Sequence, residues 1–274
     1  MRIAVTTDTH WGHSEYGDLE NLRMLGVIKY EKPDILIHCG DENSSCYPQR
    51  VDYWSKVRNI FPNLWIGAVF GNHSFWQGSF HNLLLSVEEL NNYRKPSNPE
   101  EIVNQNLDIL KKYDISYIPN GFEFASSKVF ISGCDGWYYE DDSKLTNDSR
   151  FITGYKDVVT GRNWIIKRFD EQFQKSIAEV NEHKAEGYTT IMVSHFGMIK
   201  KAAEHDYKSN SMFGNHDYMG ANPKYEQFMD NVDWYFYGHS HQYYDDYADN
   251  TKTRVLNIGS DYEFPKFQLF DIGG

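Results

Sequence analysis

The chain has 274 residues with 27 basic and 39 acidic side chains, which give a formal net charge of −12 at pH 7. Its length and its 40% of hydrophobic residues suit a single domain over residues 1–274 with an extensive core. The acidic charge disfavours long nucleic acids as substrates, because a polyanion would meet net repulsion. No apolar run reaches the length of a membrane-spanning helix, so we expect no membrane partner.

Cysteine usage indicates a reducing environment. Of the three cysteines, Cys39 and Cys134 lie in apolar, strand-like stretches that suit buried, reduced thiols. A strand pattern begins within the first three residues, which leaves no room for a secretory signal. We therefore expect a cytoplasmic location, and nothing in the sequence predicts an oligomeric state.

Strand-like and helix-like stretches alternate through the first part of the chain. The predicted strands are 3–7, 35–39 and 64–70, and the predicted helices are 18–30, 50–60, 83–93 and 100–112. The residues expected to form the buried face of the first helix are Leu19, Leu22, Leu25 and Gly26. This alternation indicates a sheet that contains parallel strands.

From residue 116 onward the pattern is richer in strands. Residues 122–125 and 128–132 read as a hairpin, and a long helix is predicted at 163–185. The other predicted strands are 190–194, 234–237, 243–247, 254–258 and 267–270. Together these elements predict an α/β fold with two facing mixed β-sheets flanked by helices.

Polar side chains follow five of the predicted strands directly. The five segments are Asp8-Thr9-His10, Gly40-Asp41, Gly71-Asn72-His73, His195 and Gly238-His239-Ser240-His241. The carboxyl ends of strands are where α/β sheets build sites, and residues two apart on an extended chain point the same way. Carboxylate, amide and imidazole ligands suit manganese, iron or zinc. The segments therefore predict a metal site at the strand ends.

These five segments, in this order, resemble the calcineurin-like metallophosphoesterase superfamily, whose pattern is Asp-x-His, Gly-Asp, Gly-Asn-His, His and Gly-His-x-His. The resemblance spans Asp8 to His241. It implies a four-layer sandwich and two divalent metal ions, drawn from manganese, iron, zinc and nickel, that act on a small phosphoester substrate. By this resemblance, one metal is held by Asp8, His10 and His241, the other is held by Asn72, His195 and His239, and Asp41 bridges the two.

The resemblance also implies a catalytic role for His73. In the family, the histidine at this position protonates the leaving oxygen, while a hydroxide that bridges the metals attacks phosphorus. A general acid contributes roughly a hundredfold to ten-thousandfold to the rate. The chain departs from the family at Ser74, where aspartate or glutamate is usual. We expect a hydroxyl to orient the imidazole more weakly than a carboxylate would.

A second Gly-Asn-His-Asp string occurs at 214–217 and matches the family better than the first. Residues 205–213 before it are polar and irregular, so no strand would deliver these groups to the sheet edge. His216 is a candidate for substrate contact only because its loop connects two parts of the site. The histidines interpreted as structural or surface groups are His38, His81, His183 and His205.

The residues around the motifs narrow the substrate class. Protein phosphatases of the family continue Gly-Asp into Asp-Arg-Gly, whereas Glu42-Asn43-Ser44 follow Asp41 here, which disfavours a phosphoprotein. Aromatic residues near the site loops, which either pack or stack against a nucleobase, are Trp11, Phe75, Trp76, Trp137, Tyr138, Tyr243 and Tyr244. The favoured prediction is a phosphodiesterase that acts on a small nucleotide-like phosphodiester. The alternatives are a nucleotidase-like phosphomonoesterase, a nuclease, or a noncatalytic interaction scaffold.

Overall fold

The computed structural model of the protein describes residues 1–44, 47–77, 95–137, 148–157, 159–209, 223–249 and 251–273. The predicted helix at 83–93, the second Gly-Asn-His-Asp string, His81, His216, Cys46 and Tyr138 lie outside the described residues. In the described part, two mixed sheets are flanked by helices, which confirms the predicted fold class.

The strands follow the predicted apolar runs closely. They are β1 (Arg2–Thr6), β2 (Ile35–His38), β3 (Trp65–Ala68), β4 (Ser116–Tyr117), β5 (Phe122–Phe124), β6 (Val129–Gly133), β7 (Thr189–Val193), β8 (Trp234–Tyr237), β9 (Tyr243–Tyr247), β10 (Arg254–Ile258) and β11 (Phe267–Asp271). One sheet has the order β11-β1-β2-β3-β4 and the other has the order β5-β6-β7-β8-β10-β9.

Both sheets have parallel centres and antiparallel edges. Strands β1 to β4 run parallel, and β11 pairs antiparallel with β1. In the second sheet, β6, β7, β8 and β10 run parallel, while β5 and β9 are antiparallel edge strands. The predicted hairpin is the β5–β6 pair. The parallel strands place their carboxyl ends along one edge of each sheet, and the segments that carry the predicted ligands follow these ends.

The two sheets pack against each other through one apolar layer. Alternate residues of central strands from both sheets form a single buried cluster that includes Val5, Ile37, Ile131, Val193 and Phe236. The opposite faces contribute residues to a larger cluster that also contains helix side chains. Strands covered on both faces are apolar along their whole length, which is why these runs show no alternation in the sequence. Cys39 and Cys134 are buried and free, as predicted.

The described helices are α1 (Glu15–Glu31), α2 (Tyr47–Ile60), α3 (Pro99–Lys112), α4 (Asp148–Phe151), α5 (Arg162–Ala185) and α6 (Lys200–Ser209). Ser14 caps α1 by accepting the Gly17 N–H at 3.0 Å, and Asn98 caps α3 by accepting the Glu101 N–H at 3.0 Å. None of the helices in the described ranges is long and apolar enough to cross a bilayer.

The face that α1 turns toward the core differs from the predicted one. Leu25 is buried as expected, but Leu19 is 46% exposed and Leu22 is 36% exposed. Gly26 is exposed as well. The buried face consists of Gly17, Asn21, Met24, Leu25 and Ile28. The prediction was wrong because a polar residue faces inward: the Asn21 amide donates to the Thr9 carbonyl at 2.8 Å. This bond and a second one from the same Nδ2 to the Gly17 carbonyl at 3.1 Å hold the Asn21 side chain on the inward face.

Candidate metal centre

The seven predicted ligands come together at the carboxyl ends of the strands. The segment after β1 continues beside the segment after β2, since the Asp8 N–H donates to the Gly40 carbonyl at 3.0 Å and the His10 N–H donates to the backbone carbonyl of Asp41 at 3.1 Å. The Asp8 carboxylate accepts the His239 N–H at 3.0 Å and so joins the two sheets. Six of the seven, together with His73, form three groups, which are Asp8, His10 and His241; Asp41, His195 and His239; and His10, Asp41 and His73. The seventh, Asn72, places its Oδ1 3.2 Å from His195 Nε2.

The backbone is strained at most of these ligands. Eight non-glycine residues of the described part have positive φ, and five of the eight are predicted ligands. The five, with φ from 43° to 71°, are Asp8, His10, Asp41, His239 and His241. Non-glycine residues in this region cost on the order of 1 to 3 kcal/mol each and tend to cluster at functional sites. The strained positions are therefore also the ones whose side chains converge on the shared cleft.

The motif glycines leave room for the carboxylates. A Cβ atom on Gly71 would lie 2.1 Å from Asp41 Oδ1. A Cβ atom on Gly238 would lie 2.1 Å from Thr7 Oγ1 and 2.7 Å from Asp8 Oδ2. Real Cβ atoms do not approach other atoms this closely, so these two positions accept only glycine without movement of a ligand.

The first group directs two imidazoles and a carboxylate at one point. His10 Nε2 lies 3.0 Å from His241 Nε2, which lies 3.5 Å from Asp8 Oδ1. Burial and the neighbouring His73 and His241 lower the pKa of His10 well below its usual value. Burial opposes protonation of His241 as well, but Asp261 and Asp8 raise its pKa to about 10. Asp261 accepts from His241 Nδ1 at 3.1 Å, which leaves Nε2 facing the cleft.

The second group is built around His195. Its Nδ1 donates to the Cys39 carbonyl at 2.9 Å, so Nε2 faces the cleft, 3.2 Å from Asp41 Oδ2 and 3.2 Å from Asn72 Oδ1. Burial lowers the pKa of His195, but the Asp41 charge outweighs it and raises the pKa to about 9. Asp41 shares one group with His10 and another with His195 and His239, so its carboxylate lies between the two predicted sets of metal ligands.

This donor set fits two divalent cations. Asp8 and Asp41 are 0% and 1% exposed. Burial opposes ionisation of both carboxyls, but the surrounding histidines outweigh it and hold the pKa of each below its usual value. Burying carboxylates of like charge costs free energy unless cations offset them. Oxygen and imidazole nitrogen atoms within 4.8 Å of one another provide ligands of the type that manganese, iron, zinc and nickel accept.

His73 borders the cleft with a fixed ring orientation. Its Nδ1 donates to the Ser44 carbonyl at 2.5 Å, and its backbone N–H donates to Asp41 Oδ1 at 2.9 Å. Its Nε2 lies 4.0 Å from Asp41 Oδ2, and its ring stacks on Trp76 with centroids 3.6 Å apart. Burial lowers the pKa of His73, against the opposing effect of Asp41. The remaining nitrogen, Nε2, is the one that can hold or donate a proton in the cleft.

A carboxylate still reaches the loop in which Ser74 departs from the family. Ser74 Oγ donates to Glu42 Oε2 at 2.9 Å, and Glu42 lies 3.7 Å from the Arg50 guanidinium. Asn106 donates to the Ser74 carbonyl at 2.9 Å. Glu42 and Arg50 are both buried. The sequence could not reveal that Glu42 supplies this carboxylate, because nothing in the spacing of Glu42 and Ser74 indicates that the two residues are in contact.

The sequence analysis missed three further residues at the site. Asp261 orients His241, and the Tyr262 ring stacks on His10 with centroids 4.0 Å apart. Asp148 accepts from the Asn72 amide at 3.2 Å. None of these residues belongs to a strand-end motif. The one signal in the sequence was that Asp261 is an acidic residue three positions after the end of β10.

Three of the histidines interpreted as structural or surface groups belong to the described residues, and all three lie outside the three candidate metal-binding groups. His38 contacts Thr9 Oγ1 at 3.1 Å, His183 stacks on Phe130, and His205 contacts Asp206. Among the aromatic candidates, Trp11, Phe75, Trp137 and Tyr244 are buried, Tyr243 is exposed, and Trp76 contacts His73. Packing therefore accounts for most of the aromatic residues near the site.

Comparisons with known proteins find solved structures of similar fold. The chain is similar to the protein TT1561 of Thermus thermophilus, with 10% identity, a TM-score of 0.53 and 98% of each chain covered. A second crystal structure has 12% identity and a TM-score of 0.57, and the match covers 98% of this chain and 94% of that one. At these identities the likenesses show the fold alone. A 5′-nucleotidase from Candida albicans has 15% identity and a TM-score of 0.43, over 97% of this chain and 46% of its own.

A comparison with curated proteins finds no match. The family model described as calcineurin-like phosphoesterase matches residues 1–243, which include every predicted ligand and His73. The order of the motifs, the two-sheet fold and the family match all indicate the same family. The chain belongs to the calcineurin-like phosphoesterase family, whose members are metal-dependent phosphoester hydrolases with two metal ions.

Proposed function

We propose that this protein is a phosphodiesterase that hydrolyses a small, nucleotide-like phosphodiester. Asp8, His10 and His241 would hold one metal, Asn72, His195 and His239 the other, and Asp41 would contact both. When bound, the two cations supply Lewis acidity to the phosphoryl group and stabilise its developing charge. The protein's own task is to hold the ligands, exclude bulk water and deliver a proton.

The observation that carries the proposal is the orientation of His73. The Ser44 carbonyl accepts its Nδ1 proton at 2.5 Å, so a second proton can only sit on Nε2, at the cleft. Nε2 lies 4.0 Å from Asp41 Oδ2, beside the place where the phosphoryl group would be held. A proton donor there allows departure of a poor leaving group such as a nucleoside alkoxide.

The charges around the cleft favour a diester over a monoester. The ionisable groups that act most strongly on Asp41 are His195, His73 and His10, and those on Asp8 are also site residues. The buried Arg50 guanidinium is turned toward Glu42 and Asn43. A monoester carries nearly two negative charges at neutral pH, whereas a diester carries one. The second negative charge would call for a further cationic side chain beside the metals, and none of these strongest neighbours of Asp8 and Asp41 is a lysine or an arginine.

The test compares bis-nitrophenyl phosphate with mono-nitrophenyl phosphate on chelator-stripped protein reloaded with manganese, nickel, zinc or magnesium. We expect the diester to have the higher kcat/KM. The control variant Asp41→Asn should lose turnover of both esters, which excludes a contaminating enzyme. Turnover of the monoester alone would replace the proposal with a phosphomonoesterase. Two bound metals with no turnover of either ester would indicate a noncatalytic scaffold.

A further inference from the structure

The short helix α4 contacts the loop that carries Asn72 and His73. Asp148, at the start of α4, is fully buried and 76 residues from Asn72 in the chain. One carboxylate oxygen, Oδ1, accepts from Asn72 Nδ2 at 3.2 Å and from Trp76 Nε1 at 2.5 Å. The Gln77 N–H also donates to the Phe151 carbonyl at 2.9 Å, so both ends of α4 are fixed to this loop.

The contact with Asn72 determines which atom of the amide faces the cleft. An asparagine amide has nearly the same shape in its two flipped orientations, but only its oxygen can bind a cation. An ionised carboxylate accepts hydrogen bonds and donates none, so Asp148 favours the orientation in which Nδ2 points toward it. In that orientation Asn72 Oδ1 lies 3.2 Å from His195 Nε2, inside the cleft.

Through its contact with Trp76, Asp148 also restricts the position of His73. The indole N–H is held by Asp148, and the indole ring stacks on the His73 imidazole with centroids 3.6 Å apart and an interplanar angle of 25°. A ring that is fixed at its N–H cannot slide across its neighbour. The imidazole is therefore held between the Trp76 ring and the Ser44 carbonyl.

We propose that Asp148 is a positioning residue that presents the oxygen of Asn72 to the metal and fixes Trp76 against His73. The proposal deepens the proposed function and rests on its metal site, but not on its preference for diesters. Outer groups that orient metal ligands commonly contribute tenfold to a hundredfold to metal affinity. This places the expected effect of Asp148 at one metal and not at the other.

The test measures Co²⁺ binding to chelator-stripped protein by calorimetry and by visible absorption. The Asp148→Asn variant replaces a pure acceptor by an amide that can accept or donate, so Asn72 is free to flip. We expect one of the two binding steps to weaken by about tenfold to a hundredfold, while the other is unchanged. Equal weakening of both steps, or none, would overturn the proposal.

A second variant tests the selection of the oxygen directly. In the Asn72→Asp background, both ligand atoms are oxygen, so orientation no longer matters. Adding Asp148→Asn there should leave Co²⁺ affinity unchanged or raise it, because two facing carboxylates are no longer present. A loss as large as in the wild-type background would show that Asp148 acts only on the fold. This double variant also restores a carboxylate–amide pair with its members exchanged.

The matched control is Asp233→Asn, which also removes a carboxylate that accepts several hydrogen bonds. Asp233 binds the Lys184 ammonium and the Thr190 N–H at the start of β7, at the opposite end of the strands from the ligands. The Asp233→Asn variant should leave both Co²⁺ binding steps unchanged. Because Co²⁺ binding is measured without substrate, a protein that binds metals normally but cleaves no diester would disprove the proposed function and leave this inference standing.

Discussion

The Nε2 atoms of His10 and His241 lie 3.0 Å apart, although the residues are separated by 231 positions in the chain. Two imidazole nitrogens at this distance must share a proton or a cation, because two lone pairs would repel each other. The pKa of His10 is lowered by burial, whereas Asp261 and Asp8 raise the pKa of His241 to about 10. The proton therefore resides on His241 when no metal is bound, and a metal has to displace it.

Metal binding should release protons. The pKa values of His195 and His241 are raised to about 9 and about 10, so both are protonated near neutral pH in the metal-free chain. Because a metal binds only the neutral imidazole, affinity should increase as the pH rises toward these values, with about two protons released per chain. Calorimetry in buffers with different heats of ionisation measures this number. Binding that is independent of the buffer would contradict the prediction.

His73→Ala should keep both metals bound but lose turnover selectively. Removal of the proton donor should lower kcat by roughly a hundredfold to ten-thousandfold for an alkyl phosphodiester and by much less for a nitrophenyl ester, whose leaving group needs no proton. A series of diesters with leaving groups of increasing pKa measures the difference. Unchanged turnover of the alkyl diester would remove His73 from the mechanism.

The buried pair of Arg50 and Glu42 should be essential for folding stability. Arg50→Leu leaves the Glu42 carboxylate buried without its ion-pair partner, which typically costs about 3 to 5 kcal/mol. The control Arg23→Leu removes an arginine that pairs with Glu20 on the solvent-facing side of α1, and should cost less than about 1 kcal/mol. Urea unfolding of both metal-free variants provides the comparison. Similar losses in the two variants would show that Arg50 has no special role.

Gly238→Ala should weaken metal binding as well as the fold. The new methyl group would overlap Thr7 Oγ1 and Asp8 Oδ2, at 2.1 and 2.7 Å, and force the ligand to move. We expect a loss of about 1 to 3 kcal/mol in stability and weaker binding at the Asp8 site. The control Gly26→Ala adds a methyl group that meets nothing within 4 Å, and should stabilise α1 by up to about 1 kcal/mol. Thermal unfolding with and without Mn²⁺ separates the two effects.

Much of the fold follows from local patterns. Strand β8 (Trp234–Tyr237) starts and ends where the apolar run predicts, and β9 and β10 match their predicted bounds as well. The prediction of the buried face of α1 was wrong because Asn21 points inward and donates a hydrogen bond to the Thr9 carbonyl. Hydrophobic periodicity counts apolar residues, so it assigns the wrong buried face to a helix whose inward face includes a hydrogen-bonded polar side chain.

The sequence by itself predicted the candidate ligands, since strand runs and short motifs place Asp8, Asp41 and His195 at strand ends and the family resemblance assigns them to metals. Only the tertiary structure decided what orients the ligands. The pairs Asp261 with His241, Asp148 with Asn72, and Glu42 with Ser74 join residues that no motif connects. The physical reason is that the local pattern of apolar residues predicts a strand and its end, whereas a hydrogen bond between distant residues depends on how the two sheets and α4 pack.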